Sequence, residues 1–263
     1  MGIRNLVWND TGKLDETAKN AVTNFQKSQE IETDGYWGDY TTHRLNRSTE
    51  MYNMPDGGVF YSMPIRFSKP ENVKVFNPKG NIKNYKNTFN GTFSSGQPIS
   101  IMINDGKVIR GNSCHYVWNY PETVFYYTKQ GELKTARVQT YTQIPNHKDI
   151  VWAIGGIGVE DYKPDLEGFC KFTKKNVFTN ITETKNFSDV NRETWHSVFG
   201  IDSDGYVFGA IMYGTPLQIK KHCEENLNLT PKVIGDGGSW AACSTDDFSK
   251  NTSHIQYSAV QMG

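Results

Sequence analysis

From residue 61 onward the chain is cut into short apolar runs, and nearly every run stops at Gly, Asn, Asp or Pro. This punctuation constrains the fold more than any other feature, because runs of four to eight residues between turn residues read as strands. Val73–Phe76 alternates and ends at Asn77-Pro78-Lys79-Gly80. Ile99–Ile103 reaches Asn104-Asp105-Gly106-Lys107, whose Asp-Gly suits a hairpin, and Val108–Arg110 pairs back. Val124–Tyr127 and Val138–Tyr141 read as strands around Lys129-Gln130-Gly131, and Ile150–Ile154 is apolar enough for a central strand ending in Gly155-Gly156. Val198–Ile201 and Tyr206–Met212 read as a hairpin across Asp202-Ser203-Asp204-Gly205. Lys232-Val233-Ile234 reads as a buried strand, after which glycines turn the chain sharply and leave Asp236 at the mouth of the turn. One helix interrupts the series: Thr215 caps it, Pro216 suits its first position, and Leu217, Ile219, Cys223 and Leu227 supply an apolar stripe. Many strands and few helices, with 24 Gly, 14 Phe and 14 Tyr, predict an α+β domain built on a large mixed or antiparallel sheet.

The first 60 residues follow a different pattern. Asp15 can cap a helix with Glu16 in its first turn, and Ala18, Ala21, Val22 and Phe25 recur at helical spacing. Thr33-Asp34-Gly35 is a turn, followed by Tyr36-Trp37-Gly38 and a second short helix over 39–45. The series G-x-L-D-x-x-T-x-x-A-V-x-x-F-Q, then D-G-Y-W-G, then T-x-x-x-L, resembles the peptidoglycan-binding type 1 repeat over residues 12–45. That resemblance implies a small helical wall-binding module, with Asp34, Gly35 and Trp37 at its binding surface. A plain helical hairpin acting as a cap is the structural alternative. The expected division is a helical module over 1–47, a linker over 48–60 around Pro55-Asp56-Gly57-Gly58, and the sheet-rich domain over 61–263.

Charge and cysteines narrow the function. Lys plus Arg and Asp plus Glu both number 28, so the net charge is zero, and no electrostatic footprint points to nucleic acid or an acidic membrane. The four cysteines form no C-x-x-C pair, so a zinc ribbon is not expected and free, buried thiols are. No 18-residue apolar run predicts a membrane span, and the opening M-G-I-R-N-L-V-W has no secretory core. Asp202-x-Asp204-Gly205 begins like a calcium loop, but Tyr213 stands where the closing Glu belongs, so both Asp read as turn residues. No cofactor and no metal site is indicated, and a divalent cation is left open. His115, Trp118 and Tyr120 could stack on a sugar, although packing is their expected role.

Four glycine-bearing points follow apolar runs: Asn90-Gly91-Thr92-Phe93, Gly155-Gly156, Trp195–Gly200 leading into Asp202, and Asp236-Gly237-Gly238-Ser239. Backbone N–H groups in such loops suit anions. In this order, with Pro98–Ile109 between the first two, they resemble the phosphodiester glycosidase family that contains the lysosomal uncovering enzyme. The resemblance spans residues 85–243. The family's Arg-Thr pair falls on His196-Ser197, its third loop Gly on Ser239, and its following Ser on Trp240. It implies hydrolysis of a sugar 1-phosphodiester at the bond between sugar and phosphate. In that assignment Asp236 is the carboxylate at the anomeric centre. Asn90 and the Gly91 backbone orient the substrate. His196 and Ser197 bind phosphate, with His196 as the acid. Gly155, Gly156, Gly237, Gly238 and Ser239 line the site.

Together the two resemblances describe a hydrolase tethered to a cell-wall glycopolymer such as a teichoic acid. A chain without a signal segment would reach it as a bacteriophage protein, after lysis or as a virion component, and would otherwise be cytoplasmic. The alternatives are a non-catalytic glycan-binding protein and an intracellular phosphodiesterase acting on a nucleotide or nucleotide-sugar.

Overall fold

The computed structural model describes residues 16–28, 51–52, 61–62, 65–94, 96–112, 121–159, 193–245, 249–250 and 252–263. Helix α1 (Glu16–Ser28) carries Glu16 in its first turn and Lys27 in its last, each where the helix dipole favours it. Val22 from its expected apolar stripe is buried. Asp34, Gly35, Trp37, His115, Trp118, Tyr120, Cys114 and Cys170 lie outside the described residues.

A short ribbon pairs β1 (Met51–Tyr52) with β2 (Tyr61–Ser62), across the stretch read as the linker. The strands that follow are β3 (Arg66–Ser68), β4 (Lys74–Phe76), β5 (Thr88–Asn90), β6 (Met102–Asn104), β7 (Lys107–Arg110), β8 (Glu122–Thr128), β9 (Leu133–Val138) and β10 (Ile150–Gly158). Next come β11 (Thr194–Asp202), β12 (Val207–Gly214), helix α2 (Pro216–Asn226), β13 (Leu229–Gly237), β14 (Cys243–Ser244), β15 (Ser249–Lys250) and β16 (Ala259–Gln261). They form a nine-stranded sheet in the order β3-β12-β11-β13-β10-β6-β7, with β8 on β10 and β9 on β8. A five-stranded sheet runs β15-β14-β5-β16-β4. Every pairing among the described strands is antiparallel. The α+β, sheet-rich class expected from the punctuation is therefore the architecture found.

One apolar core joins the two sheets. Val75, Phe89, Val260 and Met262 of the smaller sheet and its flanks pack with Phe199 and Phe208 of the larger. Each side chain of this size adds about 1.5–3 kcal/mol when fully buried. Trp152 on β10 is sealed by Phe125, edge-on at 5.2 Å between ring centroids, and its indole N–H donates to the Pro70 carbonyl at 2.6 Å. The buried indole thus keeps its one donor satisfied.

The β11–β12 hairpin pairs from Thr194↔Gly214 to Ile201↔Val207, as the Asp202–Gly205 turn predicts. Asp202 Oδ1 accepts from the Asp204 and Tyr206 N–H groups, both at 2.9 Å, which is the turn role expected of it. Thr215 caps α2 with a full capping box to Gln218, with Pro216 at the start. Three local expectations are corrected. Leu217 is 52% exposed, because it lies two residues from Ile219 and so on another face of an 11-residue helix. The strand expected over Val138–Tyr141 lies over Leu133–Val138. Its polar Lys134, Thr135 and Arg137 mask the pairing to β8, and Tyr141 starts a 3-10 turn. β13 does not turn after Ile234; it stays extended through Gly237, and the turn begins at Gly238, where φ is 61°.

Candidate active site

Two features of the sequence bring β13 against the end of β5. Ala241, Ala242 and Cys243 lead into β14, which pairs with β5 and so carries the residues after Asp236 alongside Asn90. Gly235 then lets the backbones touch: a Cβ there would lie 2.2 Å from the Gly91 carbonyl oxygen. The contact is used, since the Asp236 N–H donates to that same oxygen at 3.0 Å. Glycine serves here for close approach, not for turning.

Asn90 is the hub of the polar cluster. It is 1% exposed, and its side-chain oxygen accepts from the Ala242 N–H at 2.9 Å and from Ser197 Oγ. Its amide nitrogen donates to the Asp236 carbonyl at 3.3 Å, which also accepts from Ser197 Oγ at 3.2 Å. Three strands, β5, β11 and β13, are thereby tied at one point. Behind them, Ser258 holds the Asn90-Gly91-Thr92 turn: its carbonyl accepts from Gly91 N–H at 2.9 Å and its Oγ from Thr92 N–H at 2.8 Å.

The Asp236 carboxylate stands at the partly exposed end of this cluster. Oδ1 accepts from the Gly237 N–H at 2.9 Å, and Oδ2 accepts from Ser94 Oγ at 3.4 Å. Hydrogen bonds of this kind favour the charged form. His196 pairs across the strands with Gly237 and is 1% exposed. Its Nδ1 lies 2.7 Å from where a Gly237 Cβ would stand, so the imidazole packs directly against that glycine.

The predicted residues divide into two groups. Asn90, Gly91, His196, Ser197, Asp236 and Gly237 meet in one cluster through the contacts above. Gly238 and exposed Ser239 continue it into a one-turn 3-10 helix over Gly238–Trp240. Gly155 and Gly156 sit on β10, where Cβ atoms would strike Glu122 Oε1 at 2.3 Å and the Ile234 carbonyl at 2.5 Å. Their evident work is to let β10 lie close to β8 and β13. The sequence reading missed Ser94, Ser258, Lys250, Thr252 and His254. Ser94 lies one residue past the Asn90–Phe93 motif. The others follow the last recognised motif and carried no signal of their own.

Lys250 and Trp195 lie on the residues that follow and flank this cluster. The Lys250 ammonium donates to the Ala241 carbonyl at 2.6 Å and sits 5.6 Å from the Trp195 ring centre. Burial pushes its pKa down, partly offset by Cys243. Among the described residues no cluster of three or more His, Cys, Asp or Glu could hold a metal ion, and no helix is long and apolar enough to cross a membrane.

No protein-family profile matches the chain, and no characterised protein matches it by sequence. Similarity appears at the level of three-dimensional structure. A solved structure from zebrafish, the N-acetylglucosamine-1-phosphodiester α-N-acetylglucosaminidase catalytic domain auto-inhibited by its pro-peptide, aligns with a TM-score of 0.57. The alignment is 17% identical and covers 81% of each chain. A hypothetical protein from Synechocystis aligns with a TM-score of 0.46 and 9% identity, over 81% of this chain and 61% of its own. The first likeness, over four-fifths of both chains, shows that this chain has a phosphodiester-glycosidase-like fold.

Proposed function

We propose that the chain is a hydrolase that cleaves a sugar 1-phosphodiester between the sugar and its phosphate. The observation that carries this is the convergence of Asn90, Ser197 and Asp236 at one strand end in a fold of this type. In the reaction water adds at the anomeric carbon, the bond from that carbon to the phosphate oxygen breaks, and the electron pair leaves with the phosphate. The products are the free sugar and a phosphomonoester. The transition state carries positive charge on the sugar. Asp236, set by the Gly237 N–H and Ser94, supplies the fixed negative charge that stabilises it. Asn90 and Ser197 hold the Asp236 backbone and so fix where that charge points. His196 braces Gly237 from beneath. The proposed substrate is a cell-wall glycopolymer such as a teichoic acid, with residues 1–47 as its tether. Those parts rest on the N-terminal sequence pattern.

The test is release of N-acetylglucosamine from an N-acetylglucosamine 1-phosphodiester by the full chain. Asp236→Asn is expected to lower turnover about 10²–10⁴-fold with little change in melting temperature. Full activity in that variant overturns the site. No release by the wild type, with the chain still pelleting on purified walls, would leave a binding protein. For the tether, the full chain pellets with walls and Trp37→Ala reduces pelleting; equal pelleting would sink that part.

A further inference from the structure

The proposed reaction leaves unassigned the group that meets the phosphate. His196 is the sequence candidate, but at 1% exposure and packed against Gly237 it presents no surface to a ligand. Another histidine does. Past Asp236 the chain turns at Gly238 and exposes Ser239. The C-terminal segment comes back across this turn. Thr252 Oγ1 donates to the Ser239 carbonyl at 2.7 Å and accepts from the His254 N–H at 3.1 Å. The half-buried His254 ring lies flat on Trp240, 4.2 Å between centres and 15° between planes, and its Nε2 is 3.2 Å from Ser239 Oγ. Gln256 ties the same turn by donating to the Trp240 carbonyl at 3.3 Å.

These contacts fix the imidazole in plane, in edge and in backbone, which packing alone would not require. In the tautomer that carries the proton on Nε2, His254 donates to Ser239 Oγ, and the serine's own O–H is free to point outward at an anion. Ser239 is three residues from Asp236, so their Cα atoms are at most about 11 Å apart, on the order of one sugar phosphate. The Lys250 ammonium already donates to the Ala241 carbonyl and lies over Trp195.

We propose that Ser239, oriented by His254 on its Trp240 support, is the phosphate subsite of the reaction centred on Asp236. The inference rests on the hydrolase reading above. Ser239 touches the phosphate; His254 is a positioning residue that holds its hydroxyl from behind. This explains how a site with His196 in place of an arginine still holds an anion.

The experiment measures the affinity of inorganic phosphate by calorimetry, together with KM and kcat for the phosphodiester. The proteins are the wild type, Ser239→Ala, His254→Ala, His254→Gln and the Ser239→Ala/His254→Ala double variant. Ser239 is exposed, so its substitution leaves packing intact, and His254→Gln keeps a donor if His254→Ala disturbs the turn. Each alanine variant is expected to weaken phosphate binding and raise KM about 10–100-fold, with the larger effect on KM than on kcat. The double variant should be no worse than the poorer single, and His254→Gln should recover part of the loss. Inhibition by free N-acetylglucosamine should not change. Equal phosphate affinity in all five proteins overturns the subsite, whether or not the wild type turns over. Weakened phosphate binding in both alanine variants, without turnover by the wild type, upholds the subsite and overturns the hydrolase reading instead.

Discussion

Asn90→Ala is the most informative single perturbation. The buried amide takes part in three hydrogen bonds, to Ala242 N–H, Ser197 Oγ and the Asp236 carbonyl. Two of the partners survive its loss: Ser197 Oγ already reaches the Asp236 carbonyl at 3.2 Å, so both can re-pair. The buried Ala242 N–H donates to Asn90 Oδ1 and is left stranded. Three bonds at about 1 kcal/mol each, plus about 1–2 kcal/mol for the stranded N–H, give an upper figure of about 4–5 kcal/mol, less whatever the re-pairing recovers. Urea unfolding followed by tryptophan fluorescence measures it. A second series with Ser197→Ala, alone and in combination, should show a coupling of about 0.5–3 kcal/mol, since the two side chains share a bond. A loss below about 1 kcal/mol for Asn90→Ala, or coupling indistinguishable from zero, would refute the view that Asn90 clamps the three strands.

Gly235→Ala places a methyl 2.2 Å from the Gly91 carbonyl and is expected to cost about 1–3 kcal/mol of stability in urea unfolding. It should also reduce turnover more than a mutation of equal ΔΔG remote from β13, because the Asp236 N–H bond to Gly91 must lengthen; matched losses would count against that contact's role. His222 on α2 has its pKa pushed below 6.5 by burial, so the unfolded chain binds the proton first and stability must fall as pH drops through 6.5. His222→Gln should shrink the drop in melting temperature between pH 7.5 and 5; an unchanged drop would show that the burial of His222 is not linked to acid stability.

The parts of the fold legible in the sequence are those set by local chemistry. Asp202 and Gly205 announce the β11–β12 hairpin because an Asx turn and a glycine at φ 83° satisfy it within five residues. Thr215 and Pro216 announce α2 for the same reason. The long-range parts were not legible. β5, β14 and β16 pair across more than 150 residues, and nothing in Cys243–Ser244 or Ala259–Gln261 marks them as partners of Thr88–Asn90. At the site, Asn90, Ser197 and Asp236 could be gathered by the order of glycine-bearing strand ends. The extended course of β13 through Gly237 could not, because glycine signals turning and close approach alike, and only the neighbour at Gly91 decides between them.

The clamp at Asn90 has a consequence for how the molecule reaches its folded form. Its hydrogen bonds bridge 107, 146 and 152 residues, and the bond from Thr92 to Ser258 bridges 166. Loop closure over such distances comes late in assembly, after local hairpins have formed. No partly folded chain can therefore own the carboxylate's setting, nor can a nascent one before Ser258 emerges. Competence of this strand end is a property of the finished molecule, and its appearance marks the end of folding.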